Sequence, residues 1–203
     1  IIGTNPIAFA APAGRNNPFS LDMATTPVAV NKLKVYWLKG KELPEGWAYK
    51  KDGSTERNAE QAFKNKRMAP LGGTRESGGY KGYGLAMMVN ILSSTLSGAA
   101  FQPIRLEREG PTKPDNIGHF FLAIDPALFR DEGELEHDLD EMIDYLHAQR
   151  PSDPDHPVLV PGDPEYAERE KRIAAGIPIP QMLADQIKSI CDKTGAAYVL
   201  RDG

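Results

Sequence analysis

Apolar residues along this chain come in short runs near the start and in longer helical periods further on. Residues 7–10 form a short apolar run behind the Gly3-Thr4-Asn5-Pro6 turn, and residues 19–26 form a second extended piece, so two strands are expected there. Residues 28–41 mix Lys32, Lys34, Lys39 and Lys41 with Val35, Tyr36, Trp37 and Leu38, the pattern of a solvated helix or strand edge. Turns follow at 43–48 and 51–54, where Trp47 is expected as a buried aromatic anchor. The clearest helical period is Leu85, Met88, Val89, Leu92 and Leu96, one face of a 3.6-residue repeat, with Ser97-Gly98 as the stop. Residues 101–115 read as a polar loop, and 118–124 as the best buried strand, ended by Asp125-Pro126. Residues 134–149 give an acidic amphipathic helix with Leu135, Leu139, Met142 and Leu146 inward. A short strand at 158–160 runs into a helix capped by Asp163 with Pro164 in its first turn and stopped by Gly176. A last amphipathic helix at 180–193 and a terminal strand at 196–200 complete the pattern. The sum is an α/β chain, a mixed sheet with flanking helices, divided into residues 1–130 and a C-terminal helical segment, 131–203.

The central helix is preceded by six glycines within fourteen residues: Gly72, Gly73, Gly78, Gly79, Gly82 and Gly84. Glycine lets a backbone approach a ligand closely, and helix N-terminal amides attract anions. Lys81, expected in the loop just ahead of the helix, adds a mobile positive charge. The stretch therefore reads as a seat for an anion, although its spacing is neither GxGxxG nor GxxxxGK[ST], and a purely structural glycine turn is the competing reading.

Composition narrows the classes. A net charge of −4 gives no drive towards nucleic acid or anionic membrane. No run of 18 apolar residues is present, so no membrane-spanning helix is expected. The single cysteine, Cys191, cannot form an internal disulfide, which suits a reducing cytoplasm. Ile1 opens in mid-pattern, and residues upstream of it are expected.

Two polar positions stand out within apolar surroundings. Asp22, beside Thr25 and Thr26, either offers acceptors to a ribose or caps a following helix. His119 is expected as a structural core residue. No HxH, HExxH or Cys/His cluster occurs, so no metal site is expected.

Taken in order, GTNPIAFAAP (3–12), LDMATT (21–26), LPEGWA (43–48), PLGG (70–73), GGYKGYGLAMMVNILSSTLSG (78–98) and GHFFLAIDP (118–126) resemble one family, the malate/L-lactate dehydrogenase-like NAD(P)H oxidoreductases. VPGDPE (160–165) and GIPIP (176–180) fit it as well. The resemblance implies a dinucleotide-binding fold that is not the Rossmann fold and a homodimer with the active site near the subunit interface. It also implies hydride transfer between a nicotinamide and a small 2-oxo or 2-hydroxy acid. By position, Ser20, Leu21, Asp22, Met23, Ala24, Thr25 and Thr26 would lie along the cofactor, with Asp22 as the ribose acceptor. Tyr80 and Lys81 would reach it from the glycine loop, and Pro161, Gly162 and Asp163 would form a further wall. Thr4 would hydrogen-bond the substrate carboxylate, with Asn5 beside it. An acid at the ribose favours NAD, with NADP left open.

The chain departs from the family at its start. Members carry a region before the GTNP turn that supplies a catalytic histidine and a carboxylate-gripping arginine. His119, His137, His147 and His156 match no family catalytic position, so no catalytic residue is assigned and the polypeptide alone is expected to be inactive or nearly so. A non-catalytic dinucleotide-binding or dimerisation module is the alternative.

Overall fold

The computed structural model describes residues 2–200. They form two compact units that divide between Asp144 and Tyr145. The chain combines helices with one small sheet, as the α/β expectation required, but the described residues contain a single two-stranded sheet and not a larger mixed one.

That sheet is an antiparallel hairpin of β1 (Ile7–Ala11) and β2 (Phe19–Met23). Its register sets Ala8 opposite Asp22 and Ala10 opposite Ser20. Successive strand residues point to opposite faces. Ser20 and Asp22 therefore share one face and are exposed, while Phe19, Leu21 and Met23 are half-buried on the other. Phe9 and Phe19 meet edge to face at 5.9 Å between ring centroids.

The principal core lies under α1 (Val30–Leu38) and α2 (Ala59–Asn65). The lysine-rich stretch resolves as the helix of the two expected alternatives, with Leu33 wholly buried beneath it beside Leu43, Ala48, Ala59 and Ala62. Trp47 lies at the edge of this cluster as an aromatic anchor. Its ring meets Tyr36 at 5.0 Å, and the Lys32 ammonium sits 5.6 Å from it. Burying a leucine fully contributes roughly 1.5–3 kcal/mol. α2 was not evident as a period, yet its start is well specified: the Asn58 side chain accepts from the Gln61 amide at 2.9 Å. Lys66 closes it at φ 52. From this core the backbone runs through buried Ala69, whose amide donates to the Trp47 carbonyl, into the glycine loop.

Several expectations are corrected. Residues 101–115 contain α4 (Gln102–Glu109), organised by Arg105, whose buried guanidinium donates to the Lys113 and Pro114 carbonyls and to Asp115. Residues 118–124 are neither a strand nor buried; Phe121 is 89% exposed. Strand formation needs a neighbouring backbone for its hydrogen bonds, and among the described residues none pairs with this stretch. His119 is likewise exposed and not core, stacked on Phe121 at 6.3 Å. Residues 158–160 and 196–200 are irregular for the same reason. In α5 (Glu134–His147) the residues buried are Ile143 and Asp140, while Met142 and Leu146, expected inward, are exposed.

In the second unit, α6 (Asp163–Ala175) begins one residue earlier than expected. Gly162, at φ 110, is its N-cap, and the Asp163 carboxylate instead accepts from the Val160 amide at 2.8 Å and pairs with His147 at 2.7 Å. Gly176 ends the helix at φ 83, and α7 (Gln181–Thr194) follows. Among the described residues no helix is long and apolar enough to cross a membrane.

Asp140 fastens the β1–β2 connection to α5. Its carboxylate accepts from the backbone amides of Asn16 at 2.9 Å and Arg15 at 2.7 Å. Asp144 extends the contact to both side chains. The hydrogen bond from the Asn16 amide, with that from Arg15, holds the Asp140 carboxyl below the ordinary carboxylate range against the opposing effect of burial. A depressed folded-state value means that this stabilisation is present above the ordinary value near ~4 and is lost as pH falls through the lower folded value. Asp140→Asn is expected to lower the melting temperature by several degrees at neutral pH, with the gap to the unaltered chain closing as pH falls below the ordinary carboxylate value. Thermal melts across that range check it; a gap independent of pH would contradict the assignment.

Candidate functional site

The site is built where three pieces of the first unit converge: the Gly3–Pro6 turn, the β2 strand with residues 24–26, and the glycine loop leading into α3 (Gly79–Asn90). The turn and residues 24–26 are joined by the Thr25 amide, which donates to the Thr4 carbonyl at 2.8 Å. The Leu71 amide donates to the Thr25 carbonyl at 3.0 Å, bringing in the glycine loop.

α3 begins earlier than the hydrophobic period indicates. Gly78, at φ 91, caps it, so Lys81 lies in its first turn and not in the loop ahead of it. The face that α3 buries is also not the leucine and methionine stripe but Gly79, Gly82 and Ala86, leaving Met87, Met88, Ile91 and Leu96 exposed. The reason is a backbone-to-backbone approach. A Cβ at Gly82 would collide with the Leu71 backbone, and one at Gly79 with the Gly73 carbonyl. After Asn90 the helix widens into a π-helical stretch, Ile91–Thr95.

The first turn of α3 carries no acid and presents Tyr80 and Lys81 to solvent, the Lys81 ammonium 5.9 Å from the Tyr80 ring. Arg75 and Tyr80 line an open cleft of about 640 Å³. Neither Arg75 nor Lys81 has an ion-pair partner among the described residues. The amides of Gly79 and Lys81 already donate to the Thr74 and Gly78 carbonyls, so the helix dipole and these two cations, and not a row of free amides, make the positive environment suited to an anion. Arg75 is the residue that the sequence reading missed; a cation inside the glycine loop, a few positions ahead of the helix, was the signal.

The remaining expected residues divide by what their side chains do. Thr4, Ser20, Asp22, Tyr80 and Lys81 make no side-chain hydrogen bond among the described residues. Thr25, by contrast, is fully buried and its hydroxyl faces the Thr4 and Asn5 carbonyls at 3.0 and 3.1 Å. The Thr26 hydroxyl donates to the Val28 carbonyl at 2.8 Å. The Asn5 amide bonds to the Ile2 and Ala86 carbonyls. Leu21, Met23 and Ala24 are half-buried. Pro161 is exposed and Gly162 buried at the start of α6 in the second unit, where the Asp163 carboxylate is engaged as described above.

One group of possible metal donors occurs among the described residues, exposed His137, Asp138 and Glu141 on α5. Asp138 already accepts from Arg130 at 2.9 Å, and Glu141 faces His137 at 3.4 Å.

The family model for malate/L-lactate dehydrogenase matches residues 1–188. The chain belongs to the malate/L-lactate dehydrogenase family. Among similar proteins, this family member is 38% identical over 196 residues to the malate dehydrogenase of Pyrococcus horikoshii, covering 96% of the chain and 54% of that protein. It is 34% identical over 195 residues to the L-sulfolactate dehydrogenase of Methanocaldococcus jannaschii, covering 96% and 54% respectively. The crystal structure of malate dehydrogenase from Entamoeba histolytica superimposes with a TM-score of 0.82 at 27% identity, over 97% of the chain and 55% of that structure. The Pyrococcus horikoshii structure gives 0.80 at 32% identity, over 97% and 53%. The chain thus spans about half the length of the curated relatives it matches.

The approach of α3 to the glycine loop gives a direct test. Gly82→Ala places a methyl group on the Leu71 backbone, which cannot swing aside as a side chain would. Overpacking of this kind costs about 1–3 kcal/mol or more. A large loss of thermal stability is expected, whereas Gly84→Ala, which meets open space, should be close to neutral. Equal melting temperatures for the two variants would contradict the packing described.

Proposed function

We propose that this chain is the nicotinamide-dinucleotide-binding portion of an oxidoreductase acting on small 2-hydroxy acids and their 2-oxo counterparts. The observation that carries the reading is the division of side chains at one site. Among the described residues, the side chains of Thr4, Ser20, Asp22, Tyr80 and Lys81 make no hydrogen bond at the junction of hairpin and glycine loop, and the supporting residues Asn5, Thr25 and Thr26 are engaged. Ser20 and Asp22, on one strand face opposite two alanines, offer a hydroxyl and a carboxylate to a ribose. Lys81 and Arg75, at the N-terminal end of α3, hold the pyrophosphate by charge. Tyr80 gives a ring face beside them. The Thr4 hydroxyl receives the substrate carboxylate. The cofactor, when bound, supplies or accepts the hydride at C2 of the acid. Support for a seat unlike the Rossmann type comes from the missing GxGxxG motif and the antiparallel strand pair at the site. An acid at the ribose favours NAD.

The carbonyl oxygen also needs a proton. Among the described residues no hydrogen bond or ion pair joins His119, His137, His147 or His156 to Thr4, Ser20, Asp22, Tyr80 or Lys81, so none is assigned as donor. This polypeptide by itself is therefore expected to bind the dinucleotide and to turn over 2-oxo acids little or not at all. Assembly as a homodimer is part of the same reading, supported by the apolar exposure of 117–124, where Ile117 and Leu122 are 70% and 72% exposed.

Calorimetric titration with NADH and NADPH tests it. Binding is expected, tighter for NADH. Lys81→Ala should weaken it by about tenfold, the loss of one charge-assisted contact worth roughly 1.5–3 kcal/mol. Equal affinity in the variant would remove Lys81 from the seat, and no binding of either nucleotide would count against the proposal.

A further inference from the structure

Thr25 and Asn5 sit inside the motifs that carry the site, yet their side-chain polar atoms are bonded to protein groups. The Thr25 hydroxyl proton lies between two carbonyls, those of Thr4 and Asn5, and the Thr25 amide reinforces the first of these at 2.8 Å. Its own carbonyl takes the Leu71 amide at 3.0 Å, the point where the glycine loop leaves the core. All polar groups of Thr25 are thus satisfied within a site that is fully closed to solvent.

Asn5 completes the arrangement. It is one of two non-glycine residues with positive φ among the described residues, at 31°. Asn tolerates that region better than most side chains, and such a conformation persists only where surrounding bonds impose it. Those bonds are visible: Nδ2 donates to the Ile2 carbonyl at 2.9 Å and the Ala86 carbonyl at 3.1 Å, and Oδ1 accepts from the Asn90 side-chain Nδ2 at 3.3 Å. Ala86 and Asn90 are one turn apart on α3, and Asn90 is the last residue before the π-helical widening. Asn5 therefore grips α3 at two points on one face. Through Thr25 and Asn5, the turn bearing Thr4, the segment following Ser20 and Asp22, and both ends of the glycine loop–α3 element are bonded into one unit.

We infer that Thr25 and Asn5 are positioning residues that lock the Thr4 turn to the glycine loop and α3, so that the substrate-side hydroxyl and the cofactor-side groups keep a fixed spacing. This rests on the reading of the site proposed above. It reassigns Thr25 and Asn5 from ligand contacts to framework. It also implies coupling: ordering the glycine loop around a dinucleotide steadies the Thr4 turn, and by linkage an acid held at that turn tightens the dinucleotide by the same factor.

The experiment combines amide hydrogen exchange with NADH titration on the full chain, for Thr25→Val, Thr25→Ser and Asn90→Ala. Thr25→Val keeps shape and loses the hydroxyl. It is expected to speed exchange in residues 3–7 and 71–73 and to weaken NADH by about tenfold. Thr25→Ser, which restores the hydroxyl, should return both to near the unaltered values. Asn90→Ala leaves the core and the Thr25 bonds intact and should speed exchange in residues 3–7 alone. It decides the matter if Thr25→Val fails to fold. Unchanged exchange at residues 3–7 in whichever of these variants folds would overturn the lock. So would loss of NADH affinity in both Thr25 variants with exchange unchanged, since that pattern marks a direct cofactor contact. If the unaltered chain binds no nucleotide, the functional reading falls, and the exchange data still decide the lock on their own.

Discussion

The site depends on how closely two backbones approach. Leu71 lies against Gly82 so tightly that no side chain fits between them, and Gly79 lies in the same way against Gly73. This contact sets where α3 starts, which residues occupy its first turn, and therefore where Tyr80 and Lys81 project. It is held from the other side by Thr25, whose carbonyl receives the Leu71 amide. Without the approach, the glycine loop would be a solvated connection with no defined relation to the hairpin. With it, the N-terminal end of α3, two cations without an ion-pair partner among the described residues and a strand face bearing Ser20 and Asp22 belong to one construction.

That construction separates two kinds of residue that a motif runs together. In LDMATT, Asp22 stands exposed on the outer strand face, while Thr25 and Thr26 turn inward and bond to backbone carbonyls. In GTNP, the Thr4 hydroxyl makes no hydrogen bond among the described residues, while the Asn5 side chain is held by Ile2, Ala86 and Asn90. Buried polar groups are bonded because leaving them unpaired is costly. An uncommitted polar group beside a committed one therefore marks what remains available to a ligand. The apolar residues around Phe121 are left exposed among the described residues.

The opposite case is the second unit. There the Asp163 carboxylate is engaged by His147 and the Val160 amide, so the helix start at Gly162 is organised from within its own unit. Its features are capping features first: a glycine at φ 110 outside the helix, an acid in its first position and proline next.

What the sequence by itself determined is local or carried by an ordered set of motifs. The two strands of the hairpin, the helices near 134–147, 163–175 and 181–194, and the stop at Gly176 follow from short-range period and capping chemistry, which act within a few residues. The glycine-rich approach to a helix was legible as an anion seat because its ingredients are contiguous, and the family was legible because several such pieces recur in order. The tertiary structure alone decided which face of α3 is buried, since the small-residue face of Gly79, Gly82 and Ala86 wins over the leucine stripe only once the Leu71 backbone lies across it. It alone decided that 118–124 stays unpaired, because a strand exists through a partner distant in sequence. It alone brought Asn5 and Thr25 to their hydrogen-bond partners on Ala86, Asn90 and Leu71, which lie far along the chain. Local propensity cannot encode a hydrogen bond whose acceptor is supplied by another segment; only folding brings the two together.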